Sequence, residues 1–74
     1  MNLQQALSES EGIAALATFQ GHRLSVMEQL GPFHALQIDE GDLEQFDTLV
    51  DLENRLHGEF PEYQLGDEIW EADA

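Results

Sequence analysis

The chain has 74 residues, no cysteine, sixteen Asp and Glu, two basic residues and a formal net charge of −14. That length supplies one small domain spanning 1–74, the absence of cysteine excludes disulfide stapling, and the one-signed charge argues against nucleic-acid binding, which needs Lys and Arg to neutralise phosphates. No apolar run approaches the roughly 18 residues that cross a bilayer, and Met1 to Glu11 lacks the basic start and apolar stretch of a secretory signal, so the expectation is a soluble, cytoplasmic protein.

Disorder is a standing risk for an acidic chain. Here the apolar fraction is 42% and recurs periodically, which predicts a folded domain. The core of so short a chain supplies on the order of 3–5 kcal/mol, and fraying is expected from about residue 71 onward.

In chain order, Asn2 is placed to cap a short turn through Leu3 and Leu7. Ser8 with Glu11 makes a capping-box pattern before Ile13-Ala14-Ala15-Leu16-Ala17, a run rich in helix formers, with Gly21 as a stop. Gly12 leaves open one N-terminal helix or two. Leu24, Val26 and Leu30 then alternate with polar residues, Gly31-Pro32 interrupts, and Leu36 and Ile38 resume the alternation. Period two on both sides of a Gly-Pro break predicts a β-hairpin, with Met27 and Glu28 out of pattern.

Next, Leu43, Phe46, Leu49, Val50, Leu52 and Leu56 fall on one arc of a helical wheel at about 100° per residue, with Glu44, Asp47 and Asp51 opposite. This predicts an acidic amphipathic helix ending at Gly58, ahead of Pro61. Glu53 disagrees by falling inside the apolar arc. Tyr63 and Leu65 alternate, Gly66 breaks the run, and Asp67 to Glu71 reads as a short strand or turn. Trp70 is expected at the edge of the core, its indole N–H directed to solvent or a carbonyl. The fold class is α+β: helices against one face of a small antiparallel sheet with a short C-terminal third strand.

No catalytic constellation emerges. Ser8, Ser10 and Ser25 lie in no Gly-x-Ser-x-Gly elbow, and paired carboxylates are too numerous here to be informative, so the chain is not read as an enzyme. No cofactor or metal is called. The run Asp39 to Glu44 fails calcium-loop spacing because Gly41 and Leu43 stand where oxygen ligands are required. His22, His34 and His57 lack metal-ligand spacing, and Glu53 with His57 reads as an i,i+4 pair steadying a helix end.

What remains is charge. All the carboxylates except Glu9, Glu11 and Glu28 lie beyond residue 38, where Arg55 is the single base. Ordinary surfaces mix both signs; a lopsided acidic half is expected to steer toward a basic partner. The candidate partner-binding residues are Asp39, Glu40, Asp42, Glu44, Asp47, Asp51, Glu59, Glu62, Asp67, Glu68 and Glu71. On a helix, Glu44 to Asp47 advances about 4.5 Å and Asp47 to Asp51 about 6 Å, comparable to phosphate spacing along a strand. Such crowding predicts carboxyl pKa values raised by like-charge repulsion, hence stabilisation by salt and mild acid.

In size, in its lack of lysine and cysteine and in the acid density from Asp39 to Asp73, the chain resembles the small acidic DNA-mimic inhibitors of phages and mobile elements, anti-CRISPR proteins among them. The resemblance implies a stoichiometric inhibitor, in the host bacterial cytoplasm if phage-encoded, that occludes the basic DNA-entry surface of a defence complex such as a type I surveillance complex; the oligomeric state is left open, with a monomer favoured. Two alternatives stay open: an immunity protein or antitoxin neutralising a basic nuclease toxin, and an acidic adaptor docking through an apolar edge at Phe60, Tyr63 and Trp70.

Overall fold

A capping box starts the first element. Asn2 Oδ1 accepts from the Gln5 amide at 2.8 Å and Gln5 Oε1 accepts from the Asn2 amide at 3.0 Å, satisfying two otherwise orphaned donors at the start of helix α1, Leu3–Glu9. The structure, a computed structural model, describes residues 1–29 and 33–73. After α1 come strands β1 (Ala15–Phe19), β2 (His22–Glu28), β3 (His34–Ile38) and β4 (Glu44–Phe46), helix α2 (Leu49–Glu59) and strand β5 (Glu71–Ala72). The strands form one antiparallel sheet in the order β4-β3-β2-β1-β5. The fold is α+β, as expected, with more strands than the sequence suggested.

The hairpin read from alternation is present. Leu24 and Val26 of β2 pair with Ile38 and Leu36 of β3 and face the core; the Gly31-Pro32 break lies outside the described residues. Glu28 and Met27 take the next inward and outward positions of the same alternation.

The helix expected over residues 13–17 is a strand. Ser8 and Glu11 sit at the end of α1, where Glu11 (φ 56°) and Gly12 (φ 80°) turn the chain. β1 then joins β2 through Gln20-Gly21, both at positive φ (49° and 81°), the backbone of a two-residue type I′ hairpin turn. A side chain strains at φ +81°, so Gly21 is a turn residue and not a helix stop. Ala15 is fully buried in one cluster with Leu3, Ala6 and Leu7, so packing against α1 overrides alanine's helical propensity.

The second helix starts later than its hydrophobic arc implied. Glu44–Phe46 pairs with β3, and Thr48 caps α2 by accepting from the Asp51 amide at 3.1 Å. Of the six apolar residues of that arc, Leu52 and Leu56 are buried, while Leu43 and Val50 are about half exposed. The helix runs one residue past Gly58, and the Phe60 amide closes it on the Leu56 carbonyl.

Both helices cover the face that carries Leu24, Val26 and Leu36, and Phe60, Tyr63 and Trp70 complete that core. Trp70 is buried, 1% exposed, and is not at the edge. Its backbone bonds to Met1 in both directions, at 2.9 and 3.0 Å. Fraying from residue 71 gives way to pairing: Leu16 and Ala15 face Glu71 and Ala72, and the Asp73 amide donates to the Ala14 carbonyl. Among the described residues no helix is long and apolar enough to cross a membrane.

Candidate functional site

The acidic residues fall into three groups. At one end of the sheet, Asp39, Glu40 and Asp42 form the connection from β3 to β4, beside the start of β2. Asp39 accepts from the His22 ring at 2.8 Å and from the Arg23 amide at 3.0 Å. Glu59 and Glu62 flank Phe60 and Pro61 at the same end, because Phe60 packs its ring 5.2 Å from His22 and Glu62 accepts from Gln20 at 2.7 Å. Asp47 and Asp51 lie at the far end of β4, where α2 begins. Asp67, Glu68 and Glu71 lie on the segment leading into β5, at the opposite edge of the sheet from Glu44. Four strand spacings separate β4 from β5, about 19 Å.

The helical ladder Glu44–Asp47–Asp51 is therefore not formed. Glu44 is on a strand and Asp47 in the connection, where extended backbone advances about 3.4 Å per residue, so Glu44 and Asp47 stand roughly twice as far apart as on a helix. Glu44 also points back toward α2. It accepts from Arg55 Nε at 3.0 Å, and Glu59 takes the same guanidinium at 3.2 Å. These two carboxylates hold Arg55 protonated, Glu44 contributing most.

Arg23 pairs with Glu40 at 3.3 Å, both largely exposed. Both arginines are thus engaged within the chain. Among the described residues, Asp42, Asp47, Asp51, Glu62, Asp67, Glu68 and Glu71 have no cationic partner.

Asp39 runs against the expectation of raised carboxyl pKa values. The hydrogen bond from His22 pulls it below the ordinary aspartate range, and the Arg23 amide pulls the same way. A folded value below the unfolded one stabilises at pH above the unfolded pKa, about 3.9, and that stabilisation is lost as pH falls through the folded value. With both side chains about half exposed, solvent screening keeps the contribution small. Asp39→Asn is expected to flatten the fall in melting temperature between about pH 4 and pH 2; an unchanged acid slope in that variant would show that Asp39 carries none of it.

Glu53, the residue that broke the apolar arc, is a structural acceptor. Its Oε2 takes the Tyr63 hydroxyl at 2.8 Å and the Gly66 amide at 2.9 Å. The Trp70 indole donates to that same hydroxyl at 3.1 Å, not to solvent or a carbonyl. Burial pushes the Tyr63 phenol well up, the Trp70 hydrogen bond opposes this, and the Glu53 carboxylate adds to it. His57 bonds the Tyr63 carbonyl at 2.7 Å and not Glu53, which is committed to Tyr63 and Gly66. Phe60, Tyr63 and Trp70 are at most 6% exposed, so they offer a partner no docking edge.

Among the described residues, no group of three or more His, Asp or Glu converges to hold a metal ion. The outward face of the sheet was not singled out in the sequence. Cross-strand register places Leu16, Thr18, Arg23, Ser25, Met27, Ala35, Gln37, Gln45 and Glu71 on it; the signal was there in the polar positions of the alternation, which carry almost no acid. Comparison with protein-family models finds no match, and comparisons with curated proteins and with solved structures find none either.

Proposed function

We propose that the chain is a stoichiometric inhibitor that imitates the charge of DNA and covers the basic DNA-binding surface of a partner, of the kind met in host defence complexes such as type I surveillance complexes. The observation that carries this reading is charge accounting. The chain carries a net charge of −14, both arginines pair with carboxylates of the same chain, and Asp42, Asp47, Asp51, Glu62, Asp67, Glu68 and Glu71, which have no cationic partner among the described residues, lie in connections, the first turn of α2 and the sheet edge.

The structure changes how the imitation would work. Among the described residues there is no single helical row of acids. Charge is presented on several sides of a globule measuring 28 × 22 × 21 Å, so a partner would have to be a concave basic cleft that reaches more than one group. Long-range attraction speeds encounter with such a cleft and falls with salt.

The test is binding to a DNA-binding protein captured from host lysate. Duplex DNA is expected to displace the chain competitively, and raising the salt to release it. Asp42→Asn, Asp47→Asn, Asp51→Asn, Glu62→Gln and Glu68→Gln combined should lower affinity at least about tenfold, chiefly through association rate. Retention of the chain on its target in saturating DNA, or an undiminished affinity in the folded quintuple variant, would overturn the proposal.

A further inference from the structure

We infer that the uncovered face of the sheet is the docking surface for the partner, and that it takes an arginine- or lysine-bearing segment of a protein. This rests on the inhibitor reading above and assigns it a place on the molecule.

Both helices pack on the opposite face, and Glu71 is the single acid among the described strand residues of the outward face, in a chain with sixteen carboxylates. Along one cross-strand row lie Glu71, Leu16, Ser25 and Gln37. Leu16 is 40% exposed. Small Ser25 between Leu16 and Gln37 leaves a depression of about 600 Å³, whose lining also includes Arg23, Glu40 and Glu71. Next to that row, Ala35 is buried between Met27 and Gln45, and Gln45 bonds to Gln29, so this part of the face is closed and firm.

The floor is therefore neutral and partly apolar, and acids stand at its margins: Glu71 on the β5 side, Asp39 and Glu40 at the turn after β3. That chemistry matches a long cationic side chain, whose methylene stem lies on Leu16 and Ser25 while its head reaches a rim carboxylate. Arg23 occupies part of this rim, yet its bond to Glu40 is an exposed ion pair of little strength, which an incoming cation can replace. A second copy of the chain fits poorly, because it would bring like-charged rims together. Nucleic acid fits worse.

The test is a titration of the isotope-labelled chain with a short alternating arginine–leucine peptide, followed through backbone amide NMR shifts at low and moderate salt. The shifts are expected to concentrate at Leu16, Thr18, Ser25, Gln37 and Glu71. Ser25→Trp fills the depression from a half-buried, outward-facing strand position, where an aromatic residue suits a strand, and should weaken peptide binding about tenfold, the scale of a central contact, while leaving the remaining spectrum folded. Peptide that binds but shifts only the loops holding Asp47, Asp51 and Glu68, or binds Ser25→Trp undiminished, overturns the sheet-face assignment and leaves the inhibitor reading standing. Absence of binding at low salt, or a concentration-dependent dimer that buries these amides, overturns the assignment, while the inhibitor reading stands or falls on displacement by duplex DNA.

Discussion

Replacing Trp70 with alanine is expected to abolish cooperative folding at 25 °C. The side chain is 1% exposed, its ring meets Tyr63 edge-on at 6.5 Å, and its backbone ties Met1 into the fold through two hydrogen bonds. Truncating a buried aromatic to alanine costs about 3–5 kcal/mol through lost transfer energy and the cavity left behind. A core of this size supplies on the order of 3–5 kcal/mol in total, so the loss consumes the whole margin. The effect spreads, because Trp70 joins three otherwise separate pieces: the amino terminus, the Tyr63 segment and the approach to β5. Circular dichroism of Trp70→Ala should show no sigmoidal melt, and amide exchange should lose protection in β1 as well as near residue 70. Trp70→Phe keeps most of the volume and removes only the N–H donor, so it should fold with a lowered melting temperature. A cooperative melt of Trp70→Ala within a few degrees of the parent would show that the ring is not central to the core.

This dependence could not be read from spacing alone. Trp70 follows Gly66 in a segment with no clear period, and a lone tryptophan near a chain end reads as a lid on the core. What places it inside is a long-range contact: the N-terminal residues pair with its backbone. The same kind of information was missing for β1. Ala15, Leu16 and Ala17 are good helix formers, and only their pairing with Val26, Ser25 and Leu24 makes them a strand. The hairpin of β2 and β3 was legible because Leu24, Val26, Leu36 and Ile38 carry its inward face in local alternation. The second helix was half legible. Its apolar spacing from Leu49 to Leu56 is real, but the pattern ran on smoothly into Leu43 and Phe46, and nothing local shows that β3 captures Glu44–Phe46 as a neighbour.

The arrangement of the candidate site depends on that same helix boundary. Acid density was visible in the sequence, whereas the arrangement of acids depended on where the helix begins. Moving that start from Leu43 to Leu49 turns a proposed row of phosphate-like charges into separate groups. It also takes Glu44 out of any such row, since it is bound to Arg55. The outward face of the sheet is hidden in the sequence for a related reason. A surface low in acid becomes conspicuous only when register shows that Thr18, Arg23, Ser25, Gln37 and Gln45 share it.

Glu53 offers the sharpest separation between structural and surplus carboxylates. In a chain of net charge −14, deleting an acid should relieve self-repulsion and leave stability unchanged or raised. Glu68→Ala, at an exposed residue without a cationic partner among the described residues, should behave in that way. Glu53→Ala should do the reverse. It removes the acceptor for both the Tyr63 hydroxyl and the Gly66 amide, and an unsatisfied buried donor costs about 1–3 kcal/mol. In a domain of this length each kcal/mol moves the melting temperature by about 4–8 °C, so a fall on the order of 10 °C is expected. Glu53→Gln retains a carbonyl oxygen for the two donors and should recover most of the loss, which separates hydrogen bonding from charge. Added salt should raise the melting temperature of the parent and of Glu53→Ala alike, because it screens general repulsion and restores no lost acceptor. If Glu53→Ala and Glu68→Ala shift the melting temperature in the same direction by similar amounts, the bond to Tyr63 contributes nothing measurable, and Glu53 belongs with the surface acids after all.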